Sequence, residues 1–208
     1  MGIFKSQKLM RGSVVTTVLC ALYLMVRNAI KGNGLDIWSE TFCLVLLSAI
    51  FAVVIYITYA KHDENAMKPA IGMLLGFIIF QSLQVFCTNV FVSENLDVYL
   101  SSGAMGVVSL VLDSLQFLLN LIFCFNHIFI SSGHDSSPKQ LKLNQVLCIG
   151  IVVDYILQVV VSAFVFYPEK VVYLAVFYLL MLCNVVTVLC VESKLDYFRA
   201  LRADRENG

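Results

Sequence analysis

Six stretches of mostly apolar residues alternate with short polar breaks along this 208-residue chain. A helix needs about 20 apolar residues to cross the hydrocarbon core of a bilayer, and the six stretches are of that length. Because the breaks are short, consecutive helices should be antiparallel neighbours. The pattern predicts an all-α membrane protein, a six-transmembrane-helix bundle within residues 1–191, with spans at 12–30, 37–60, 70–92, 102–130, 143–167 and 171–191. The predicted breaks lie at 31–36, 61–69, 93–97, 131–139 and 168–170.

The distribution of basic residues predicts the orientation of these helices. If both termini are cytoplasmic, eleven of the 14 lysines and arginines lie on the inner side, and three lie at or near the outer side. Cytoplasmic loops carry an excess of Lys and Arg, so this arrangement is the favoured one. The sequence therefore predicts that both termini are cytoplasmic.

Composition supports a membrane location and excludes several function classes. Hydrophobic residues make up 60% and charged residues 13% of the chain, whereas a soluble domain has about 25% charged residues. The net charge of +0 offers no basic surplus for binding nucleic acid. The seven cysteines lie in apolar stretches without a CxxC pair, which is typical of buried side chains and not of a disulfide framework or zinc site. We therefore predict no metal and no cofactor, with the lipid bilayer as the main partner.

Two aspartates lie near the middle of predicted spans. Asp113 and Asp154 are each about 16 Å from one end of their stretch, at a rise of ~1.5 Å per residue, which puts them near the centre of the membrane. A carboxylate at that depth costs several kcal/mol unless it is paired, protonated or hydrated, and it indicates a functional site by default. Because the apolar stretches contain a single basic residue, Arg27, we expect at least one acid to be neutral or bound.

Polar residues recur at helical spacing around these acids and predict a shared polar interior. They are Gln81, Gln84 and Thr88 in the third stretch; Asp113, Gln116, Asn120, Cys124 and His127 in the fourth; and Asp154, Gln158 and Ser162 in the fifth. Our candidates for binding a ligand or proton are Asp113, Asp154, Arg27, Gln116, Gln158, Gln81 and His127. The alternative is structural, because such amides often only hold helices together, Arg27 can snorkel to the surface, and His127 can be an interfacial residue.

Prolines and glycines indicate how the helices are built. Pro69, Pro138 and Pro168 lie in breaks or at helix starts, so we expect no proline within a helix and no broken helix of the transporter type. Small residues four apart allow close backbone packing. Such pairs occur at Gly72 with Gly76 and at Ser102 with Gly106.

The end of the chain, residues 192–208, is predicted to be a cytoplasmic amphipathic helical tail. Leu195, Phe198 and Leu201 are apolar at helical spacing among charged residues. These three form a candidate surface for a cytoplasmic protein partner. The alternative is a charged helix end that only anchors the protein.

In layout, the six short-looped helices and charged helical exit resemble the membrane input modules of bacterial histidine kinases and diguanylate cyclases. The resemblance implies a sensor or regulatory module in the bacterial inner membrane. Since no catalytic domain follows Gly208, signalling is expected to need a cytoplasmic partner. A second resemblance, to six-helix substrate-binding subunits of bacterial vitamin transporters, implies small-molecule transport, and a third hypothesis is a structural membrane assembly factor. The chain has no G-x-S-x-G, H-E-x-x-H, P-loop or GxGxxG motif, so it is not predicted to be an enzyme of those kinds.

Overall fold

The structure, a computed structural model, describes residues 6–31, 40–131 and 138–206. All secondary structure in these ranges is helical. The helices are α1 (Gln7–Lys31), α2 (Glu40–Ala60), α3 (Glu64–Phe91), α4 (Ser93–Ser101), α5 (Gly103–Ser131), α6 (Pro138–Val165) and α7 (Pro168–Glu206).

Most of these helices are long and apolar enough to cross a membrane. Within the described ranges, five segments qualify by length and composition, and Val45–Ala60 is a shorter apolar helical segment. The all-α membrane class is therefore confirmed. The count of six spans, the cytoplasmic termini and the separate tail stay predictions.

Two predicted polar breaks, 93–97 and 168–170, are helical, and a third, 61–69, is helical from Glu64 onward. Residues 93–97 belong to α4, and α3 begins at Glu64, so that Pro69 lies inside a helix. The expectation that no helix contains an internal proline is wrong. The Asp63 carboxylate accepts a hydrogen bond from the Ala66 amide at 3.1 Å and satisfies one of the free N–H groups at the start of α3. The polar residues after Asp63 therefore form the first turns of the helix.

The described residues divide into two compact units. Unit 1 takes the described residues up to Leu74 together with those from Cys183 onward, and unit 2 runs from Leu75 to Leu182. In unit 1, α1 packs on α2, and short polar side chains join both helices to the C-terminal part of α7. The Ser13 hydroxyl donates to the Cys183 carbonyl at 2.6 Å, and Ser48 shares hydrogen bonds with Asn184.

Unit 2 contains the end of α3, all of α4, α5 and α6, and the start of α7. Helix α5 packs directly on α4 and on α6. Gly103, with φ of +63°, allows the sharp turn from α4 into α5. At Gly106, a Cβ atom would lie 1.6 Å from the Tyr99 carbonyl oxygen, so only glycine allows the approach of these two helices. Gly76 has no such neighbour within 4 Å among the described residues, so the predicted close packing occurs in α5 and not there.

Candidate functional site

The polar stripe of α5 lies on the buried face of the helix. Asp113, Gln116, Asn120, Cys124 and His127 are each exposed by no more than 2%. The apolar residues on the opposite face are open, with Val111 at 60%, Leu118 at 50% and Phe125 at 51%. The predicted interior face is therefore confirmed for α5, while the binding role of its residues stays a prediction.

The Asp113 carboxylate is surrounded by neutral hydrogen-bond donors. Asn89 at the end of α3 donates its side-chain amide to Oδ2 at 2.9 Å, and Gln158 of α6 donates to Oδ1 at 2.9 Å. The phenol hydroxyls of Tyr99 and Tyr178 also lie close enough to interact with this carboxylate. Four side chains from α3, α4, α6 and α7 thus converge on one acid of α5.

Tyr99 shows how the short helix α4 contributes to the site. The side chain is buried, and its ring meets that of Phe166 edge to face, with the centroids 5.3 Å apart. Burial and then the negative charge of Asp113 raise the pKa of the Tyr99 phenol above its ordinary value. The phenol therefore keeps its proton and acts as a donor to Asp113 at neutral pH.

The second acid, Asp154, has no comparable partners. Its side chain is 2% exposed, and neither carboxylate oxygen has a hydrogen-bond partner among the residues that the structure describes. Gln158, one turn further along α6, donates to Asp113 instead. Asp154 is also close enough to Asp113 for the two carboxylate charges to repel each other. The pair is therefore unequal, because Asp113 accepts two hydrogen bonds and has two phenols beside it, whereas Asp154 accepts none in the described part of the chain.

A second set of polar contacts lies further along α5. The Asn120 amide donates to the Ser82 hydroxyl at 2.9 Å and to the Tyr155 hydroxyl at 3.1 Å. The Tyr155 and Tyr178 rings stack with their centroids 5.4 Å apart. Because Tyr178 also lies beside Asp113, this set of contacts is continuous with the acid site.

The two remaining glutamine candidates, Gln81 and Gln116, are buried with incomplete hydrogen bonding. Gln116 donates its side-chain amide to the Met181 sulfur at 3.5 Å, and its Oε1 has no partner within the described ranges. Gln81 is fully buried, and both polar atoms of its amide lack a described partner. Thr88, which was predicted to lie on the same polar face of α3, is exposed.

The other candidates are His127 on α5, Arg27 on α1 and three apolar residues near the end of α7. His127 is buried, with its ring centroid 4.2 Å from that of Phe123. Arg27 is half-buried in α1 and belongs to unit 1, so its pairing with an acid stays a prediction. Leu195 is buried at 2%. The side chains of Phe198 and Leu201 lie outside the described residues, so the partner-binding surface also stays a prediction.

The sequence did not single out Asn89, Tyr99, Tyr155 or Tyr178. Asn89 lies eight residues after Gln81, a spacing of about two helical turns that could have added it to the stripe of α3. Tyr155 is adjacent to Asp154 but carried no signal, because tyrosine is common in membrane helices.

The two buried carboxyl groups make the site suited to acid–base chemistry. No group of three or more histidine, cysteine or carboxylate side chains comes together within the described ranges. No protein-family model, curated protein or solved structure matches this chain. The function therefore has to be argued from the geometry of this site.

Proposed function

We propose that this multi-pass membrane protein is a sensor or regulatory module. Its ligand is bound at the acid site of unit 2, and helix α7 carries the signal to a cytoplasmic partner. The observation that supports this proposal is the continuity of α7. The helix places Tyr178 beside Asp113 and runs without interruption from Pro168 to Glu206.

The length of α7 is sufficient to link the membrane interior to the cytoplasm. From Tyr178 to Glu206, the helix rises by about 42 Å at ~1.5 Å per residue. The hydrocarbon core is about 30 Å thick, so a helix starting near its centre emerges well before this length is used. A rotation or shift of α7 at Tyr178 would therefore move the far end of the same helix.

A transport subunit is the second candidate function. Buried acids inside a membrane also serve as coupling sites in transporters, and Asp154 has no described hydrogen-bond partner. The assembly-factor hypothesis is weaker, because packing alone gives no reason to bury the unpartnered polar groups of Asp154 and Gln81.

Truncation of α7 separates these functions. A chain ending after Leu195 keeps Lys194, whose ammonium group bonds the Tyr59 carbonyl and lies 3.7 Å from the centroid of the Tyr59 ring. We expect this variant to fold and to lose the partner that full-length protein captures from native membranes. A full-length Tyr178→Phe variant, which keeps the whole tail and lacks the donor to Asp113, should capture the partner with altered efficiency.

The opposite result would favour transport. If the truncated chain keeps every partner, or if full-length protein has none and moves a solute across proteoliposome membranes, the sensor proposal fails. Circular dichroism of each variant before the assay serves as the folding control.

A further inference from the structure

We infer that the ligand of this site is the proton, bound by Asp154, while Asp113 stays ionised as a fixed negative charge beside it. This inference rests on the proposed function, because it names the ligand of the same site. It depends on the unequal surroundings of the two acids.

The donors around Asp113 fit an ionised carboxylate. Such a group only accepts hydrogen bonds and has about four lone-pair positions, while a protonated carboxyl must also donate one. Asn89 and Gln158 each donate a hydrogen bond at 2.9 Å, and the phenol hydroxyls of Tyr99 and Tyr178 are two further donors close to the carboxylate. A proton on Asp113 would displace one of these donors, so the arrangement favours the charged form.

The surroundings of Asp154 fit a neutral carboxylic acid. An ionised carboxylate without hydrogen bonds in an apolar environment costs far more free energy than an unpaired neutral group. The nearby charge of Asp113 adds repulsion, and two close carboxylates in a low dielectric share one proton between them. The titratable groups that interact with Asp154 in the described part of the chain are Asp113 on α5, Tyr155 on α6 and Tyr178 on α7. All three are acids, so none of them neutralises a charge on Asp154.

The geometry also favours a proton over larger ligands. Both carboxylate oxygens of Asp154 are completely buried. A Ca²⁺ ion would need six to eight oxygen ligands around it, whereas a proton needs no space. Binding forms an O–H bond between one Asp154 oxygen and a proton supplied by water, and release returns that proton to water.

Release of this proton should change the packing of the helices. The resulting charge on Asp154 has no donor in the described arrangement, so a donor or water must reach it. Gln158 is the nearest donor along the same face of α6, one turn away, and it is held by Asp113. A movement that brings Gln158 to Asp154 breaks the hydrogen bond from Gln158 to Asp113. Proton release is thereby coupled to a change in the contact between α5 and α6, and a sensor needs such a change.

Infrared spectroscopy of the full chain in lipid vesicles tests the assignment. A protonated carboxyl in an apolar site gives a carbonyl stretching band separate from the bands of ionised carboxylates and amides. We expect this band in wild type near pH 7, its loss in Asp154→Asn, and its persistence in Asp113→Asn. Asparagine resembles the neutral acid in size and polarity, so Asp154→Asn should fold; Asp154→Glu should keep the band at a shifted frequency and provides a second variant.

Two results would overturn the inference. The first is absence of the carbonyl band in wild type from pH 5 to 8, roughly the range in which proton switches operate in proteins. The second is loss of the band in Asp113→Asn but not in Asp154→Asn. The spectrum reports the charge state without involving a partner. If the band behaves as expected and truncation after Leu195 leaves partner capture unchanged, the proton site stands and the sensor function fails. If capture is lost on truncation but the band is absent, the sensor function stands with another ligand.

Discussion

Replacing two buried glutamines of unit 2 by leucine should have opposite effects on stability. Gln158 and Gln81 are both almost completely buried, at 1% and 0% exposure. Gln158 donates to Asp113 at 2.9 Å, whereas neither polar atom of the Gln81 amide has a described partner. Both substitutions therefore remove a buried side-chain amide, but only the amide of Gln158 has a described hydrogen bond.

The size of the effect reports the charge on Asp113. A hydrogen bond to a charged group contributes about 1.5–3 kcal/mol, while side-chain hydrogen bonds between membrane helices average about 0.6 kcal/mol, with a maximum near 1.7. If Asp113 is ionised, Gln158→Leu should lower the free energy of unfolding by about 2 kcal/mol, within the range for charged partners. Gln81→Leu should raise it by about 1 kcal/mol, because a buried unpaired polar group costs about 1–3 kcal/mol.

Unfolding of the purified protein in mixed micelles, followed by circular dichroism, measures both values. Repeating Gln158→Leu in an Asp113→Asn background completes a double-mutant cycle. In the Asp113→Asn background, Gln158→Leu should lower the free energy of unfolding by only about 0.6 kcal/mol, the average for a side-chain hydrogen bond between membrane helices. If Gln158→Leu and Gln81→Leu change stability by equal amounts, or if the Asp113→Asn background leaves the loss unchanged, the charged state of Asp113 is refuted.

Three further predictions follow from the fold and the site. Gly106→Ala should destabilise the protein by at least about 1–3 kcal/mol through overpacking on α4, while Gly76→Ala, with open space around it, should be neutral or stabilising by up to about 1 kcal/mol; thermal melts compare the two. Burial raises the pKa of Tyr99 above its ordinary value. The folded protein therefore retains a proton that the unfolded chain loses above about pH 10, so stability should fall as pH rises through that range. Tyr99→Phe should lessen that fall by up to about 1.4 kcal/mol per pH unit in alkaline denaturation. A cysteine introduced as Asp97→Cys should react with a membrane-impermeant thiol reagent from outside intact cells, and labelling only after the cytoplasm is opened would contradict the predicted orientation.

The apolar stretches were predictable because the bilayer sets a minimum length for an uninterrupted apolar helix. The helix boundaries were less predictable. A helix can begin several residues before its apolar stretch where a capping residue, such as Asp63 before α3, accepts a hydrogen bond from one of its first N–H groups. Helix α4 was missed for a different reason. Residues 93–97 are polar and have a loop-like composition, and the helix packs against α5 through the contact between Tyr99 and Gly106, which depends on tertiary structure.

The two acids could be identified as candidates from the sequence because a carboxylate within an apolar stretch of membrane-spanning length is energetically unfavourable unless it is paired, protonated or hydrated. Their inequality was not predictable. Asp113 and Asp154 lie at similar depth and on similar polar stripes, but the sequence does not say which helix faces which. The donors Asn89 and Tyr178 lie 24 residues before Asp113 and 65 residues after it, and only packing of the helices brings them to the same carboxylate.

The polar side chains of the two units differ in a way that separates packing from function. In unit 1, Ser13, Ser48 and Asn184 are hydrogen-bonded, and the buried groups without a described partner are the hydroxyls of Thr17 and Ser193. An unpaired buried hydroxyl costs about 1–3 kcal/mol, which a packed helix pair can tolerate. In unit 2 the unpartnered groups include a carboxylic acid. Helix packing gives no reason for an acid at position 154, because an apolar side chain of similar size would stabilise the fold more. This difference between the units is the reason for proposing that Asp154 binds a proton.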